Sequence, residues 1–332
     1  MDTHTSTGME DANVLIIGGL GFIGSNLAHR LVALGAHVVI FDACLDPYGW
    51  NYANIKEIER DVEVIVADTR DFEAVKTQVT DKDYIFNFAA QVSHSLSMER
   101  PFVDIDINCR GNMNVLEACR RLNDEAMILF AGTRSESGDA QYLPVDEHHP
   151  DNPSDIYSIN KLAAEKYHLM YTHVYGMPTS IIRVGNTYGP RHQMKHGQYG
   201  VLNYFIRRAM LDEPIMIYGD GQQIREYCYV DDVCDAFLLS AQTPKSIGEY
   251  FVIGSGEPVT FIDMANQVIS AVGKGSLQHT PYPEGREKID VQKYYVANDK
   301  ITEYLGWHPT ITLKEGLEKT VAFYQNRLME YI

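Results

Sequence analysis

The chain has 332 residues, 45% of them hydrophobic, enough for one large domain or two ordinary ones around a sizeable core. Its net charge of −17 argues against nucleic acid or an anionic membrane as a partner, since either needs a basic face. The five cysteines form no Cys-x-x-Cys pair and no Cys/His cluster with zinc spacing, so no metal is expected and a reduced, cytoplasmic protein is the simple reading.

Residues 1–11 are polar and lack an apolar signal core, and are expected to form a disordered tail. No apolar run approaches the roughly 18–20 residues of a membrane span. Val14-Leu15-Ile16-Ile17 then reads as a buried parallel strand. It runs into Gly18-Gly19-Leu20-Gly21-Phe22-Ile23-Gly24, followed by a helical pattern that Gly35 closes. Val38 to Phe41 is a second strand, ending at Asp42. A strand, glycine-rich turn, helix and strand with an acid at its tip make a dinucleotide site. The glycines admit the pyrophosphate to the backbone, and the helix N-terminus offers it free amides. Asp42 can accept hydrogen bonds from the ribose hydroxyls and would repel a 2′-phosphate, which favours NAD over NADP.

The apolar run from Val62 to Val66 ends at Ala67-Asp68-Thr69. Asp68 has two readings, a contact to the adenine amino group or a cap for the helix from Phe72. Tyr84 to Gln91 is a further strand, and its small residues Ala89 and Ala90, between Phe88 and Gln91, let a cofactor lie close. Asn108 leads into another helix, and Met127 to Ala131 is a strand ending at Gly132-Thr133. Ser154 and Asp155 offer caps to a helix carrying Tyr157 and Lys161, which at a spacing of four lie on one face. A phenol beside an ammonium has a lowered pKa and can serve as a base. Thr179 to Val184 completes an alternation of strands and helices, the pattern of an α/β doubly wound parallel sheet of Rossmann type. Beyond Gly185 the turn-rich texture reads as a smaller interleaved C-terminal substrate lobe. Residues 12–184, with 230–254 returning to them, form the NAD-binding domain; residues 185–229 and 255–332 form the lobe.

With these parts in place, the chain from about Val14 to Tyr324 resembles the extended short-chain dehydrogenase/reductases, the NAD-dependent nucleotide-sugar epimerases and dehydratases. The motifs that carry the resemblance are the turn at 18–24, Phe88-Ala89-Ala90-Gln91, Asn108 with Gly111, Thr133, Tyr157 with Lys161, Asn186 with Tyr188-Gly189-Pro190, and Gly219-Asp220-Gly221 with Arg225. The resemblance implies that Tyr157 takes a proton from a sugar hydroxyl, Lys161 holds the nicotinamide ribose, and Thr133 hydrogen-bonds the reacting oxygen. It places Asn186, Arg191, Arg225 and Arg286 on a nucleotide-diphosphate sugar, and it implies a homodimer paired through the helices at 111–122 and 158–175.

The loop after Thr133 departs from the family pattern. Arg134 and Ser135 stand where the 4,6-dehydratases carry Asp and Glu, and Ser135 also where the decarboxylases carry Glu. Glu136 comes one place later, and Glu136-Ser137 replaces the usual Val-Tyr. Without the elimination pair, an epimerase needs the least extra chemistry, and the UDP-hexose 4-epimerase type is expected. The alternatives are a CDP-sugar 2-epimerase, which Ala90-Gln91-Val92 and the serine-rich turn resemble; a 4,6-dehydratase or UDP-glucuronate decarboxylase using Glu136 as a displaced acid; and a non-enzymatic NAD-binding relative. His94, in that same turn, reads either as a substrate contact or as a solvated loop residue.

Overall fold

The computed structural model describes residues 8–282 and 293–332. In chain order they form β1 (Asn13–Ile17), α1 (Phe22–Ala33), β2 (His37–Asp42), β3 (Val62–Val66), α2 (Phe72–Val79) and β4 (Tyr84–Asn87). Two short helices follow, α3 (His94–Glu99) and α4 (Pro101–Asp104), then α5 (Gly111–Leu122), β5 (Met127–Thr133), α6 (Ile156–Tyr175) and β6 (Thr179–Val184). The rest comprises β7 (Asn186–Tyr188), α7 (Val201–Met210), β8 (Pro214–Tyr218), β9 (Ile224–Arg225), β10 (Tyr227–Tyr229), α8 (Val230–Gln242) and β11 (Tyr250–Ile253). It closes with β12 (Val259–Thr260), α9 (Phe261–Val272), β13 (Ser276–Thr280), α10 (Asp299–Leu305) and α11 (Leu313–Tyr324).

The main sheet has seven parallel strands in the order β11-β6-β5-β4-β1-β2-β3. Both faces are covered, which is why β1 and β5 are apolar almost throughout. On one face α1, α8 and α10 pack on Ile16, Ile40 and Phe86; on the other α2, α5 and α6 pack on Leu15, Ile85 and Ile128. The strand order reverses between β1 and β4, so a crevice opens at the carboxyl ends of these two strands.

A second core gathers α7, α9, α11 and β8. The strand β13 pairs with β8 in parallel. Two boundaries differ from expectation. Within the expected tail, residues 8–11 form a turn: Met9 is fully buried in the first core, and the Asp11 amide donates to the Gly35 carbonyl at 3.0 Å. An apolar side chain with core volume to fill outweighs the polar surroundings that suggested disorder. The segment with α10, assigned to the lobe, also packs on the first core. Ile301, Leu305 and Trp307 are buried there, and the Trp307 indole donates to the Asp232 carbonyl at 2.9 Å.

Arg191 joins the two units. Its guanidinium donates to Asn26 Oδ1 on α1 at 2.9 Å and to the Asn54 carbonyl at 3.2 Å, and reaches Glu57 at 3.4 Å. Arg191→Ala is expected to lower unfolding free energy by about 1–3 kcal/mol, the usual cost of orphaned polar partners, with ligand affinity within about twofold of wild type. Denaturant melts and titration calorimetry together check this, and a large affinity loss without a stability loss would reverse the assignment.

The glycine turn separates two requirements. A Cβ at Gly24 would collide with the Gly18 carbonyl and come within 2.9 Å of Gly19 Cα, whereas a Cβ at Gly21 meets only the Gly18 carbonyl, at 3.2 Å. Gly24→Ala should therefore cost about 1–3 kcal/mol of stability through overpacking. Gly21→Ala should leave stability nearly unchanged and weaken dinucleotide binding, because Gly21 lines the cavity. Equal melting temperatures for the two variants would contradict this division.

Candidate functional site

A cavity of about 540 Å³ opens at the carboxyl ends of the strands, at the β1/β4 reversal. The turn after β1 gives it Gly18, Gly21, Phe22, Ile23 and Gly24; the segment after β4 gives it Phe88, Ala89 and Ala90. These two segments approach so closely that a Cβ on Gly18, which has φ +80, would stand 3.0 Å from the Ala89 nitrogen. At the tip of β2, the Asp42 carboxylate accepts from the amides of Leu20 (3.0 Å) and Cys44 (2.9 Å). Two backbone donors thus fix its direction toward the cavity that it lines.

Asp68 and Thr69 also line the cavity. Asp68 is not the cap of α2: Asp71 caps that helix, accepting from Glu73 (3.0 Å) and Ala74 (3.2 Å), while Asp68 is gripped by the Arg70 guanidinium at 2.6 Å. A side-chain-free cradle at Gly21 and an oriented acid three strands from Thr133, about 14 Å away at ~4.8 Å per strand, fit an extended dinucleotide.

The opposite end is set by β5 and α6. Asp155 caps α6, accepting from the Ser158 amide at 2.9 Å, so Tyr157 and Lys161 enter the first turns facing the end of β5. Both are buried, and both line the cavity with Thr133. Burial raises the Tyr157 phenol well above its ordinary range; the Thr133 hydroxyl pulls it down, and the nearby carboxylates of Glu136, Asp155 and Asp104 push it up again. Burial also pulls the Lys161 ammonium down, to about 8, against the opposing pull of Glu136 and Asp104. Its Nζ donates to the Ala131 carbonyl at 2.6 Å and lies 4.0 Å from the centre of the Phe130 ring. Lys161 is thereby tied to the end of β5.

His94, undecided from sequence, lines the cavity. Its Nδ1 lies 2.6 Å from Asp155 Oδ2 and its ring stands edge-on to Tyr157, with centroids 5.0 Å apart. No local pattern carried this contact, because Asp155 lies 61 residues away.

The loop after β5 sends alternate side chains in opposite directions. Arg134 lines the cavity, where its Nε donates to Asn186 Oδ1 at 3.3 Å. Glu136 turns inward and is fully buried. It accepts from the Thr133 amide at 2.9 Å and pairs with Arg183 at 2.9 Å, closing a capping box around Thr133. The displaced acid considered from sequence therefore stands behind the wall. Burial and the neighbouring Glu165 carboxylate raise the Glu136 carboxyl, and the two acids lie against one guanidinium.

The remaining expected residues divide. Asn186 and Arg225 line the cavity. Gln91 and Asn108 lie behind its wall and hold each other: the Gln91 amide donates to Asn108 Oδ1 at 3.2 Å, and Asn108 returns a bond to the Gln91 carbonyl at 3.0 Å. Arg191 serves the interdomain clasp, and Arg286 lies outside the described residues. Tyr227, Gln193 and Tyr199, unremarked as site residues in the sequence, also line the cavity. Among the described residues no group of three or more His, Cys, Asp or Glu could hold a metal, and no helix is long and apolar enough to cross a membrane.

The lowered Lys161 value has a signed consequence. Below about pH 8 the fold must hold a charged ammonium in a dry site; between about 8 and 10.5 the folded form releases the proton while the unfolded chain keeps it. Wild type should therefore gain stability relative to Lys161→Met as pH rises through that window, by on the order of 2 kcal/mol. Urea melts of both proteins at pH 7.5 and 10.5 measure the gap; a constant gap would show that burial does not depress this group.

The sequence matches the family described as GDP-mannose 4,6 dehydratase over residues 15–320. A UDP-glucose 4-epimerase from Mycolicibacterium smegmatis is 32% identical over 324 residues, covering 94% of this chain and 98% of that protein. A UDP-N-acetyl-alpha-D-glucosaminuronate decarboxylase from Bacillus cytotoxicus is 31% identical over 322 residues, covering 94% and 97%. Among solved structures, the Thermus thermophilus UDP-glucose 4-epimerase in complex with NAD superposes with a TM-score of 0.84 at 30% identity, covering 95% of this chain and 99% of that one. The chain belongs to the GDP-mannose 4,6 dehydratase family, within the extended short-chain dehydrogenases that act as NAD-dependent nucleotide-sugar epimerases and dehydratases.

Proposed function

We propose that the protein is a nucleotide-sugar epimerase of the UDP-hexose 4-epimerase type. NAD is the cofactor, and when bound it accepts a hydride from the sugar and returns it. The glycine turn and Asp42 hold its adenosine half, and Lys161 reaches the ribose at the other end. The positive charge of a bound nicotinamide would lower the Tyr157 phenol, so that it could take a proton from the hydroxyl that Thr133 holds. The ketone then turns within the cavity, and Tyr157 returns the proton as the opposite face is reduced.

The observation that carries this reading is the distribution of acids around the cavity. Its lining carboxylates among the described residues are Asp42 and Asp68, at the ends of β2 and β3. The corner at Thr133 and Tyr157 offers a phenol, a hydroxyl, an imidazole and a guanidinium, with Glu136 facing Arg183 behind it. That set supports transfer and return of a hydride without elimination of water. Asn186 and Arg225 stand where they can grip a diphosphate.

Tyr157→Phe should retain NAD binding and lose at least about a hundredfold in turnover, the usual contribution of a general base. Turnover of UDP-sugars followed by proton NMR should give the inverted sugar. Near-normal activity of the variant would remove the mechanism, and a 4-keto-6-deoxy sugar or a pentose as product would replace epimerisation with lyase chemistry.

A further inference from the structure

Among the described residues, Arg134 lines the cavity beside Thr133 with no acid in an ion pair with it. It follows Thr133 directly, so its side chain leaves the backbone at the sugar end of the site rather than at the glycine turn. Its posture is fixed from three sides. Nε donates to Asn186 Oδ1 at 3.3 Å, the guanidinium lies 5.3 Å from the centre of the Tyr294 ring, and the Tyr294 hydroxyl donates to the Arg134 carbonyl at 3.2 Å. Tyr294 is itself 1% exposed, so this support is rigid.

Each of these partners is neutral, and among the described residues no carboxylate forms an ion pair with Arg134. Glu226, whose field it feels, is already committed, accepting from the Val296 amide at 2.8 Å and the Gly256 amide at 3.0 Å. In a chain of net charge −17, most cavity-facing cations could find an acid nearby. A half-buried guanidinium in the cavity wall, its Nε held by a neutral amide, is a fork for a planar anion.

We propose that Arg134 recognises a carboxylate on the sugar ring, which makes the substrate a nucleotide-linked uronic acid rather than a neutral hexose. The proposal rests on the nucleotide-sugar reading above and narrows it. The other anion within such a ligand is the diphosphate. Asn186 and Arg225 already face the cavity for that group, and Arg134 leaves the chain beside the residue that holds the reacting oxygen.

The test uses the NAD-loaded full chain, as wild type, Arg134→Gln and Arg134→Lys, titrated calorimetrically with UDP, UDP-glucose and UDP-glucuronate. Wild type should bind UDP-glucuronate more tightly than UDP-glucose. Arg134→Gln should lose roughly ten- to a hundredfold in UDP-glucuronate affinity, the range for a hydrogen-bonded charge pair, while UDP and UDP-glucose stay within about threefold. Arg134→Lys should keep part of the uronate preference. Equal losses for UDP and UDP-glucuronate would assign Arg134 to the diphosphate and overturn the proposal. So would a wild type that binds the neutral sugar as tightly as the acid, even if it epimerises that sugar. Absence of binding by every UDP ligand would instead remove the UDP-sugar reading, and this proposal with it. Retained UDP affinity in the variants certifies that they are folded.

Discussion

One buried guanidinium sets the geometry of the reacting corner. Arg183 on β6 is 1% exposed on its side chain and pairs with Glu165 at 2.6 Å, Asp151 at 2.7 Å and Glu136 at 2.9 Å. These acids come from α6, from the segment before it and from the loop that follows β5. The helix carrying Tyr157 and Lys161 is thereby keyed to the loop that follows Thr133, through a residue of β6. Such a cluster is weak evidence for net stability, because dehydrating several charges offsets most of their attraction. Its value is in direction: without Arg183 the buried Glu136 and Glu165 would face each other in a dry site, at a cost of about 3–5 kcal/mol, so alternative arrangements of the loop are disfavoured.

The same cluster explains the unusual sequence after Thr133. A buried carboxylate at position 136 is tolerable only with a cation beneath it, and Arg183 supplies one. Turning Glu136 inward leaves Arg134, two residues earlier, on the cavity side. The loop has thus exchanged an acidic working surface for a basic one while keeping the hydroxyl of Thr133 in place. The Tyr157 phenol remains at this corner, with the His94–Asp155 pair beside it.

Much of the site was legible in the sequence because its signals are local. The glycine turn sits between an apolar strand and an amphipathic helix, Asp42 ends the next strand, and four-residue spacing places Tyr157 and Lys161 together. Gly18, Gly21, Gly24, Asp42, Tyr157 and Lys161 all line the cavity. What was not legible depends on partners far along the chain. Gln91 and Asn108 read as cofactor contacts, but they satisfy each other's polar groups across 17 residues. Arg191 read as a phosphate ligand, and is drawn to Asn26 some 165 residues away. The strand at Ser276–Thr280 has little apolar alternation of its own and is a strand because β8 offers it an edge.

The burial of Trp307 with the first core bears on how the two units can move. The chain leaves that core at Gly185, returns at Val230, leaves again after Ile253, is back by Ile301, and departs finally between Trp307 and Leu313. The lobe is therefore stitched to the sheet domain by five passages rather than hung from one. A swing of the lobe would have to turn all five backbone segments together, so adjustment to a ligand is left to side chains and loops around the cavity mouth. The same stitching means that neither unit exists as a contiguous piece of sequence. Cutting the chain at Gly185 would leave the first core incomplete, because α8, β11 and α10 would be lost from it.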